Sequence, residues 1–182
     1  MSGERKTSRW ALWLPLGLFG AFAVLVLFGL LRPAPRDVAS TLIGKPMPEF
    51  TLPAAMPGRE GLDSRVFRQG EPRLVNIFAS WCLPCGIEAP QLNSLAEAGV
   101  PIEGISVRDS TADLQAFLAR HGDPFVRIGA DDDGKVQLAL GSSGVPETYV
   151  VDGKGIIRYQ HIGEIRPEQV ATIIEKLKEA RE

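Results

Sequence analysis

The segment NIFASWCLPCGIEAP, from Asn76 to Pro90, contains both cysteines of the chain. The residues RLVNIFA, from Arg73 to Ala79, are almost uniformly apolar, which is typical of a strand covered on both faces of a sheet. The following residues have apolar side chains at helical spacing as far as Gly99, a residue type that favours helix C-termini. The segment therefore predicts a buried strand that leads into a helix, with Cys82 at the junction.

Two cysteines separated by two residues can form a structural disulfide, contribute to a metal site or act as a redox pair. A disulfide across so short a loop removes little entropy from the unfolded chain. A structural zinc site needs four ligands. Besides Cys82 and Cys85, the chain offers only His121 and His161, both far away in sequence. The spacing favours the redox pair and no metal, with a partial metal site as the weaker alternative.

The redox interpretation assigns a different role to each sulfur. Residues at this spacing share one face of a helix, so the two sulfurs come within bonding distance. The helix N-terminus stabilises an anion, which makes Cys82 the expected thiolate nucleophile. Cys85, one turn further on, is expected to be shielded and to act as the resolving thiol, which closes the disulfide and releases the partner. No cofactor is expected beyond the Cys82–Cys85 disulfide itself.

The chain also has an uncharged apolar run from Trp10 to Leu31. As a helix this run would span roughly 33 Å, slightly more than the hydrocarbon core of a bilayer. It is longer than the usual apolar region of a cleaved signal peptide, which remains the alternative, so a retained transmembrane signal anchor is predicted. Arg5, Lys6 and Arg9 precede the run. The positive-inside rule then predicts a cytoplasmic tail at residues 1–9.

Beyond the anchor, the Pro-rich residues 32–41 predict a linker and residues 42–182 a single domain. Strand-like and helix-like segments alternate along this domain. They include strands at PIEGISV, FVRI and ETYVV, a helix capped by Ser110, a hairpin at Asp152-Gly153 and a closing helix that opens at Pro167. This order predicts an α/β fold with a central mixed sheet flanked by helices. With 20 basic and 22 acidic residues, the composition suggests no nucleic-acid partner.

Several segments resemble known proteins. FASWCLPC, with Pro90 downstream, resembles the active site of the thioredoxin fold, and SGVPETYVVD resembles its cis-proline loop. Together with the anchor, IGKPMPEFTL (Ile43 to Leu52) and the terminal helix, they are similar to the CcmG/DsbE group, membrane-anchored thiol:disulfide interchange proteins of cytochrome c maturation. The resemblance covers nearly the whole chain. It implies a thioredoxin-like fold and a cis bond between Val145 and Pro146.

The same resemblance implies a protein-disulfide reductase held in the inner membrane of a bacterium by one span, with its C-terminal domain in the periplasm. The expected partners are apocytochrome c, whose CxxCH thiols must be free to take haem, and companion haem-ligation proteins. A membrane electron donor of the DsbD/CcdA type is expected to re-reduce the pair. The alternatives are a general periplasmic thiol reductase or oxidase of the TlpA-like group, and a non-catalytic module that binds apocytochrome.

Among the polar residues near the pair, Asn76 departs from thioredoxin, as in many members of the CcmG/DsbE group. Thioredoxin has a buried Asp where this chain has Asn76, and an amide cannot act as a base. Glu88 and Glu147 match acidic positions of the family. One interpretation is that they tune the proton affinity and potential of the pair, or mark the surface for partners. The other is that they are solvated surface carboxylates.

The remaining residues expected around the pair are apolar. Leu83 and Pro84 lie between the cysteines. Trp81 is expected on the rim of the active site rather than in the core. Val145, next to Pro146, is expected to offer its backbone to an extended substrate segment, as strand addition requires.

Overall fold

The structure, a computed structural model, describes residues 10–31 and 41–181. The chain divides into two compact units, one that contains helix α1 (Trp10–Leu31) and one that contains all the other elements. The predicted tail at residues 1–9 and residues 32–40 of the predicted linker lie outside the described residues.

Helix α1 covers the apolar run that the sequence marks out. Its mean hydropathy reaches 2.5 between Trp13 and Leu31, and all the residues in this interval are exposed. Such a helix is long and apolar enough to cross a bilayer, so it is a candidate membrane anchor. A signal sequence has the same properties, so retention of the helix stays a prediction.

The second unit contains two sheets. A short antiparallel pair, β1 (Thr51–Leu52) and β2 (Leu62–Asp63), precedes the main sheet. The main sheet has five strands, namely β3 (Arg73–Phe78), β4 (Ile102–Val107), β5 (Arg127–Asp131), β6 (Glu147–Val151) and β7 (Ile157–Ile162). Their spatial order is β5-β4-β3-β6-β7, with β3, β4 and β5 parallel and both β6 pairings antiparallel. The predicted mixed sheet is confirmed.

Helices cover both faces of this sheet. They are α2 (Leu83–Glu97), α3 (Thr111–His121), α4 (Lys135–Ala139) and α5 (Val170–Glu179), with 3-10 turns at Ser64–Arg68 and Pro167–Gln169. Apolar residues of α2, α3 and α5 pack on one face, and α4 packs with the segment before β3 on the other. All six residues of β3 are buried, as expected for a strand covered on both sides. This central strand leads directly to Cys82.

Most predicted helix boundaries are confirmed. Ser110 caps α3, since its hydroxyl accepts a hydrogen bond from the amide of Asp113 at 3.1 Å. Gly99 follows α2 with a positive φ of 83°. Pro167 opens a 3-10 turn, and α5 itself begins only at Val170.

Some strands and turns differ from the prediction. Strand β5 begins at Arg127, later than FVRI indicates, and the β1–β2 pair was not predicted because strands of two residues show no alternation. The β6–β7 hairpin is confirmed, but its turn is longer than the Asp152-Gly153 pair. Asp152 accepts hydrogen bonds from the amides of Lys154 and Ile156, both at 2.9 Å, and the left-handed residue is Gly155 with φ 81°.

Candidate active site

Cys82 and Cys85 form a disulfide at the N-terminus of α2, with their Cα atoms 5.3 Å apart. Cys82 is the N-cap residue, and its Sγ accepts a hydrogen bond from the amide of Cys85 at 3.2 Å. Leu83 and Pro84 form the start of the helix between them. The amide of Cys85, in the first turn of α2, therefore points at the Cys82 sulfur, where it and the N-terminal end of the helix stabilise negative charge.

The two cysteines line different cavities. Cys82 lines an open cleft of about 730 Å³ between the start of α2 and helix α3. Cys85 instead lines an internal cavity of about 10 Å³, together with Asn76 and Glu88. The two residues are 6% and 2% exposed. Cys82 thus faces the opening that a partner would enter, and Cys85 faces the core.

Glu88 lies buried on α2, one turn after Cys85. Its Oε1 accepts a hydrogen bond from Asn76 Nδ2 at 2.9 Å, and its Oε2 accepts one from the amide of Ile165 at 3.0 Å. Both donors are neutral, so the burial of the carboxylate dominates and raises the pKa of Glu88 to about 7. Two interpretations are therefore wrong for Glu88, that of a solvated surface carboxylate and that of a surface residue recognised by partners. This face of α2 turns toward the sheet.

Asn76 connects Glu88 to the sheet. Its Nδ2 also donates to Thr148 Oγ1 at 3.0 Å, while its own Oδ1 is buried with no hydrogen-bond partner among the residues described. Rotation of this amide brings the unpaired oxygen to Glu88, where it can accept a hydrogen bond from the protonated carboxyl group. The surroundings therefore accommodate the neutral form of Glu88.

Glu147 is also buried, but on the opposite face of the sheet. Its Oε1 accepts hydrogen bonds from the amide and the hydroxyl of Ser143, both at 2.8 Å. Its Oε2 accepts from the Tyr149 hydroxyl at 2.9 Å and from Gln160 Nε2 at 2.8 Å. The surface interpretation is wrong for Glu147 as well, because alternation along β6 turns Glu147 and Tyr149 inward together.

The cis-proline loop and the residues on the rim of the active-site cleft agree with the predictions from the sequence. The bond between Val145 and Pro146 is cis, as the resemblance implies. Across residues 41–181, the Val145 backbone has no hydrogen-bond partner. Trp81 is 62% exposed and lies on the rim of the cleft, where the neighbouring Leu83 is also exposed.

Asp109, which follows β4, is a site residue that the sequence reasoning missed. Its Oδ2 accepts hydrogen bonds from the amide of Ser80 at 2.6 Å and from the hydroxyl of Ser106 at 3.1 Å, and its Oδ1 accepts from the Ser80 hydroxyl at 2.5 Å. Next to it, the carbonyl of Arg108 accepts from Trp81 Nε1 at 3.3 Å. The end of β4 thus holds the loop before the disulfide. The position of Asp109, a charged residue just after the carboxyl end of a buried parallel strand, is the sequence feature that could have identified it.

Asp109→Ala is expected to destabilise the folded chain by about 1–3 kcal/mol, because it leaves the half-buried amide of Ser80 without an acceptor. Urea unfolding of the oxidised protein measures this loss. The matched control is Asp132→Ala at an exposed position, which should change the free energy of unfolding by no more than ~0.5 kcal/mol. Equal losses in the two variants would contradict the role given to Asp109.

The histidines considered as zinc ligands have other contacts. The ring of His121, at the end of α3, packs against Phe117 in a tilted arrangement, with ring centroids 4.8 Å apart. His161, on β7, has its Nε2 3.2 Å from the carbonyl oxygen of Glu164. Within residues 10–31 and 41–181, no group of three or more His, Cys, Asp or Glu side chains is arranged to hold a metal ion. The expectation of a site without metal stays a prediction.

Comparison with known proteins identifies the family. Residues 42–177 match the Redoxin family model. The chain belongs to the Redoxin family. Among its relatives, the thiol:disulfide interchange protein DsbE of Pseudomonas fluorescens biotype C is 42% identical over 157 residues, which cover 86% of each chain. DsbE of Escherichia coli K12 is 37% identical over 176 residues, covering 92% of this chain and 95% of the relative.

A solved structure agrees with the architecture of this redoxin. A thiol:disulfide interchange protein of the thioredoxin family from Chlorobium tepidum superposes with a TM-score of 0.60 and 21% identity, over 80% of this chain and 99% of that chain. The fold is therefore thioredoxin-like, as the sequence predicts. As a DsbE-type redoxin, the protein is an enzyme that exchanges thiols and disulfides through its CxxC pair.

Proposed function

We propose that this redoxin is a membrane-anchored periplasmic reductant of cytochrome c maturation. It would keep the CxxCH thiols of apocytochrome c, or the thiols of a companion haem-ligation protein, reduced for haem attachment. The observation that carries the proposal is a redox pair at the mouth of an open cleft, in a chain similar to DsbE over most of its length.

The reaction begins with the reduced pair. The Cys82 thiolate attacks one sulfur of the partner disulfide, the S–S bond of the partner breaks, and the second partner sulfur leaves as a thiolate. The product is a mixed disulfide between Cys82 and the partner. The Cys85 amide and the N-terminal end of α2 favour the Cys82 thiolate, and the cleft gives it access to the partner.

Cys85 then resolves the mixed disulfide. Its thiol loses a proton, and the resulting thiolate attacks Cys82 Sγ, so that the partner is released with both sulfurs reduced and the Cys82–Cys85 disulfide forms. Glu88 shares the internal cavity with Cys85 and has a pKa of about 7, so its carboxylate is suited to take this proton. Glu88 thereby takes the part that Asn76, as an amide, cannot play.

The compartment and the electron source follow from the proposal. Helix α1 would hold the domain at the outer face of the inner membrane, with residues 1–9 in the cytoplasm. The periplasm is kept oxidising, so a reductant there needs its own electron supply. A membrane electron donor of the DsbD/CcdA type would reduce the Cys82–Cys85 disulfide after each turnover.

A complementation experiment tests the proposal. The full chain with Cys82→Ala and Cys85→Ala, expressed in a strain that lacks this protein, is expected to give no cytochrome c assembly while the chain accumulates normally in the membrane. The wild-type chain is the control. Normal assembly by the double variant would contradict an enzymatic role and would favour a module that only binds apocytochrome.

A further inference from the structure

We propose that His121 is a further catalytic residue of the exchange reaction, whose imidazolium gives a proton to the partner sulfur that leaves when Cys82 attacks. The inference concerns the exchange of thiols and disulfides itself and does not depend on which partner the protein reduces. It assigns to His121 a proton transfer in the open cleft, separate from the one that Glu88 carries out beside Cys85 in the internal cavity.

The side chain of His121 lies in the active-site cleft. It lines the cleft together with Cys82, Leu83 and Gly86 at the start of α2. The residue is half-buried, and neither nitrogen of its ring has a hydrogen-bond partner among residues 41–181. A histidine that is free of other hydrogen bonds and open to a cleft can exchange a proton with a molecule that enters it.

The absence of a side chain at Gly86 allows the imidazole to lie against α2. A Cβ atom at this position would be 3.1 Å from Cε1 and 3.3 Å from Nε2 of His121. Because Cα–Cβ bonds tilt toward the N-terminus of a helix, the ring occupies the space on the Cys82 side of Gly86. Four residues of helix rise by about 6 Å, so the ring lies roughly one turn from Cys82.

Other contacts fix the position of this ring. The carbonyl of His121 accepts a hydrogen bond from Asn93 Nδ2 of α2 at 2.7 Å. The ring also packs against Phe117, one turn earlier in α3. The last residue of α3 is therefore tied to α2 through its backbone and lies against α2 through its side chain. The imidazole is thus in place before a partner enters the cleft, as efficient proton transfer requires.

The charged groups around the ring differ from it in their chemistry. Four charged side chains line the same cleft, namely Arg108, Asp109, Asp113 and Arg120. Both carboxylates accept hydrogen bonds from serine hydroxyl groups. Asp123, just after α3, forms an ion pair with Arg59, and Glu88 of α2 lines the internal cavity and not the cleft. Of these side-chain types, only histidine ordinarily changes its charge between pH 5 and pH 8.

The proton transfer completes the first step of the exchange. As Cys82 Sγ bonds to one partner sulfur, the partner S–S bond breaks and its electron pair stays on the second sulfur. Attack in line places that sulfur about 4 Å from Cys82 Sγ, two S–S bond lengths away and still in the cleft. The departing thiolate takes the proton of the His121 imidazolium, directly or through one water molecule, and is released as a thiol. The imidazole then takes a proton from water.

A leaving sulfur needs this proton only when its thiolate is strongly basic. Alkyl thiolates, such as that of cysteine, are basic, whereas the sulfur released by 2,2′-dithiodipyridine is much less basic and leaves without a proton. Loss of a catalytic His121 should therefore slow the reduction of alkyl disulfides alone. A histidine that only shaped the cleft or stabilised the Cys82 thiolate would affect both classes of substrate.

The experiment measures single-turnover reduction of 2-hydroxyethyl disulfide and of 2,2′-dithiodipyridine by the reduced full chain in detergent micelles. Rate constants are determined between pH 5 and pH 8, the range in which histidine changes its charge. The variants are His121→Asn, which removes the imidazole, and Gly86→Ala, whose added methyl group displaces it. Gln115→Asn, at an exposed position of α3 outside the cleft, is the matched control.

At the acid end of this range, His121→Asn is expected to slow reduction of 2-hydroxyethyl disulfide about tenfold and Gly86→Ala about threefold. The slowing should shrink toward the alkaline end, because an imidazole that has lost its proton can no longer donate it. Reduction of 2,2′-dithiodipyridine should be unchanged in all three variants, and Gln115→Asn should match the wild-type chain with both substrates.

Equal slowing with both substrates would overturn the inference, as would slowing of the alkyl disulfide that does not depend on pH. An alkyl rate in His121→Asn equal to that of the control would also overturn it. If His121→Asn fails to fold, Gly86→Ala decides the matter, because alanine is the better helix former and keeps α2 intact. An unchanged alkyl rate in Gly86→Ala would then contradict the role given to His121.

Discussion

Cys82→Ser is expected to lower the rate of disulfide exchange by at least ~1,000-fold, because a serine hydroxyl is not ionised at neutral pH and cannot replace the thiolate nucleophile. Cys82 is the cysteine that lines the open cleft and receives the amide hydrogen bond at the start of α2. Reduction of an oxidised CxxCH peptide by the reduced protein measures this loss directly.

Cys85→Ser should behave differently, because Cys85 faces the internal cavity. The first attack by Cys82 remains possible, but the mixed disulfide cannot be resolved and should accumulate as a covalent adduct of protein and peptide. Electrophoresis without reductant detects this adduct. If Cys82→Ser were instead the variant that accumulates the adduct, the roles of the two sulfurs would be reversed.

Glu88→Gln is expected to slow resolution of the mixed disulfide by about 100-fold at pH 7, because it removes the group that takes the Cys85 proton. In the wild-type chain the rate of resolution should rise with pH through a pKa of about 7 and then level off. In the variant this dependence should move to the higher pH at which the thiol ionises unaided. Stopped-flow mixing with a labelled peptide disulfide over a pH series measures both profiles.

The same substitution has a consequence for stability. Burial raises the pKa of Glu88 from 4.5 to about 7, so the folded state binds the proton more tightly than the unfolded state. Between these values unfolding releases a proton, and the wild-type chain loses about 3 kcal/mol of stability as the pH rises through them. Gln cannot ionise. The stability of Glu88→Gln relative to wild type should therefore increase by this amount between about pH 4.5 and pH 8.

Glu97→Gln, at the exposed end of α2, is the matched control for both measurements. It should change neither the rate of resolution nor the dependence of unfolding on pH. A Glu88→Gln variant that matches this control in kinetics and in urea unfolding would contradict the role given to Glu88.

The central elements of the fold could be predicted because their patterns are local. The apolar run of β3 and the helical spacing after Cys82 both lie within one short segment, and they place the cysteine pair at a strand–helix junction. The cis-proline loop was predicted from its resemblance to known proteins, since its local sequence would equally suit an ordinary strand-entry proline. The strands β1 and β2 are too short to show a periodicity.

The burial of the two glutamates could not be predicted, because it depends on distant contacts. Glu88 shares a helix face with Cys85, as its spacing indicates, but a single sequence does not show that this face meets the sheet. Its donor, the amide of Ile165, is 77 residues away. The hydrogen bond to Glu147 from Gln160 also crosses between strands. Acidic residues are rarely buried, so composition alone favours the surface interpretation.

The reduction potential of the Cys82–Cys85 pair is the measurement that tests the proposed direction of electron flow most directly. The full chain is equilibrated against glutathione and dithiothreitol buffers, and the reduced fraction is read after the free thiols are alkylated. A reductant of cytochrome c maturation is expected to have a potential closer to thioredoxin's, about −270 mV, than to the value of about −120 mV for a strong periplasmic oxidant. A potential of about −120 mV would contradict the proposed role as a reductant and would indicate a disulfide-forming enzyme with the same fold.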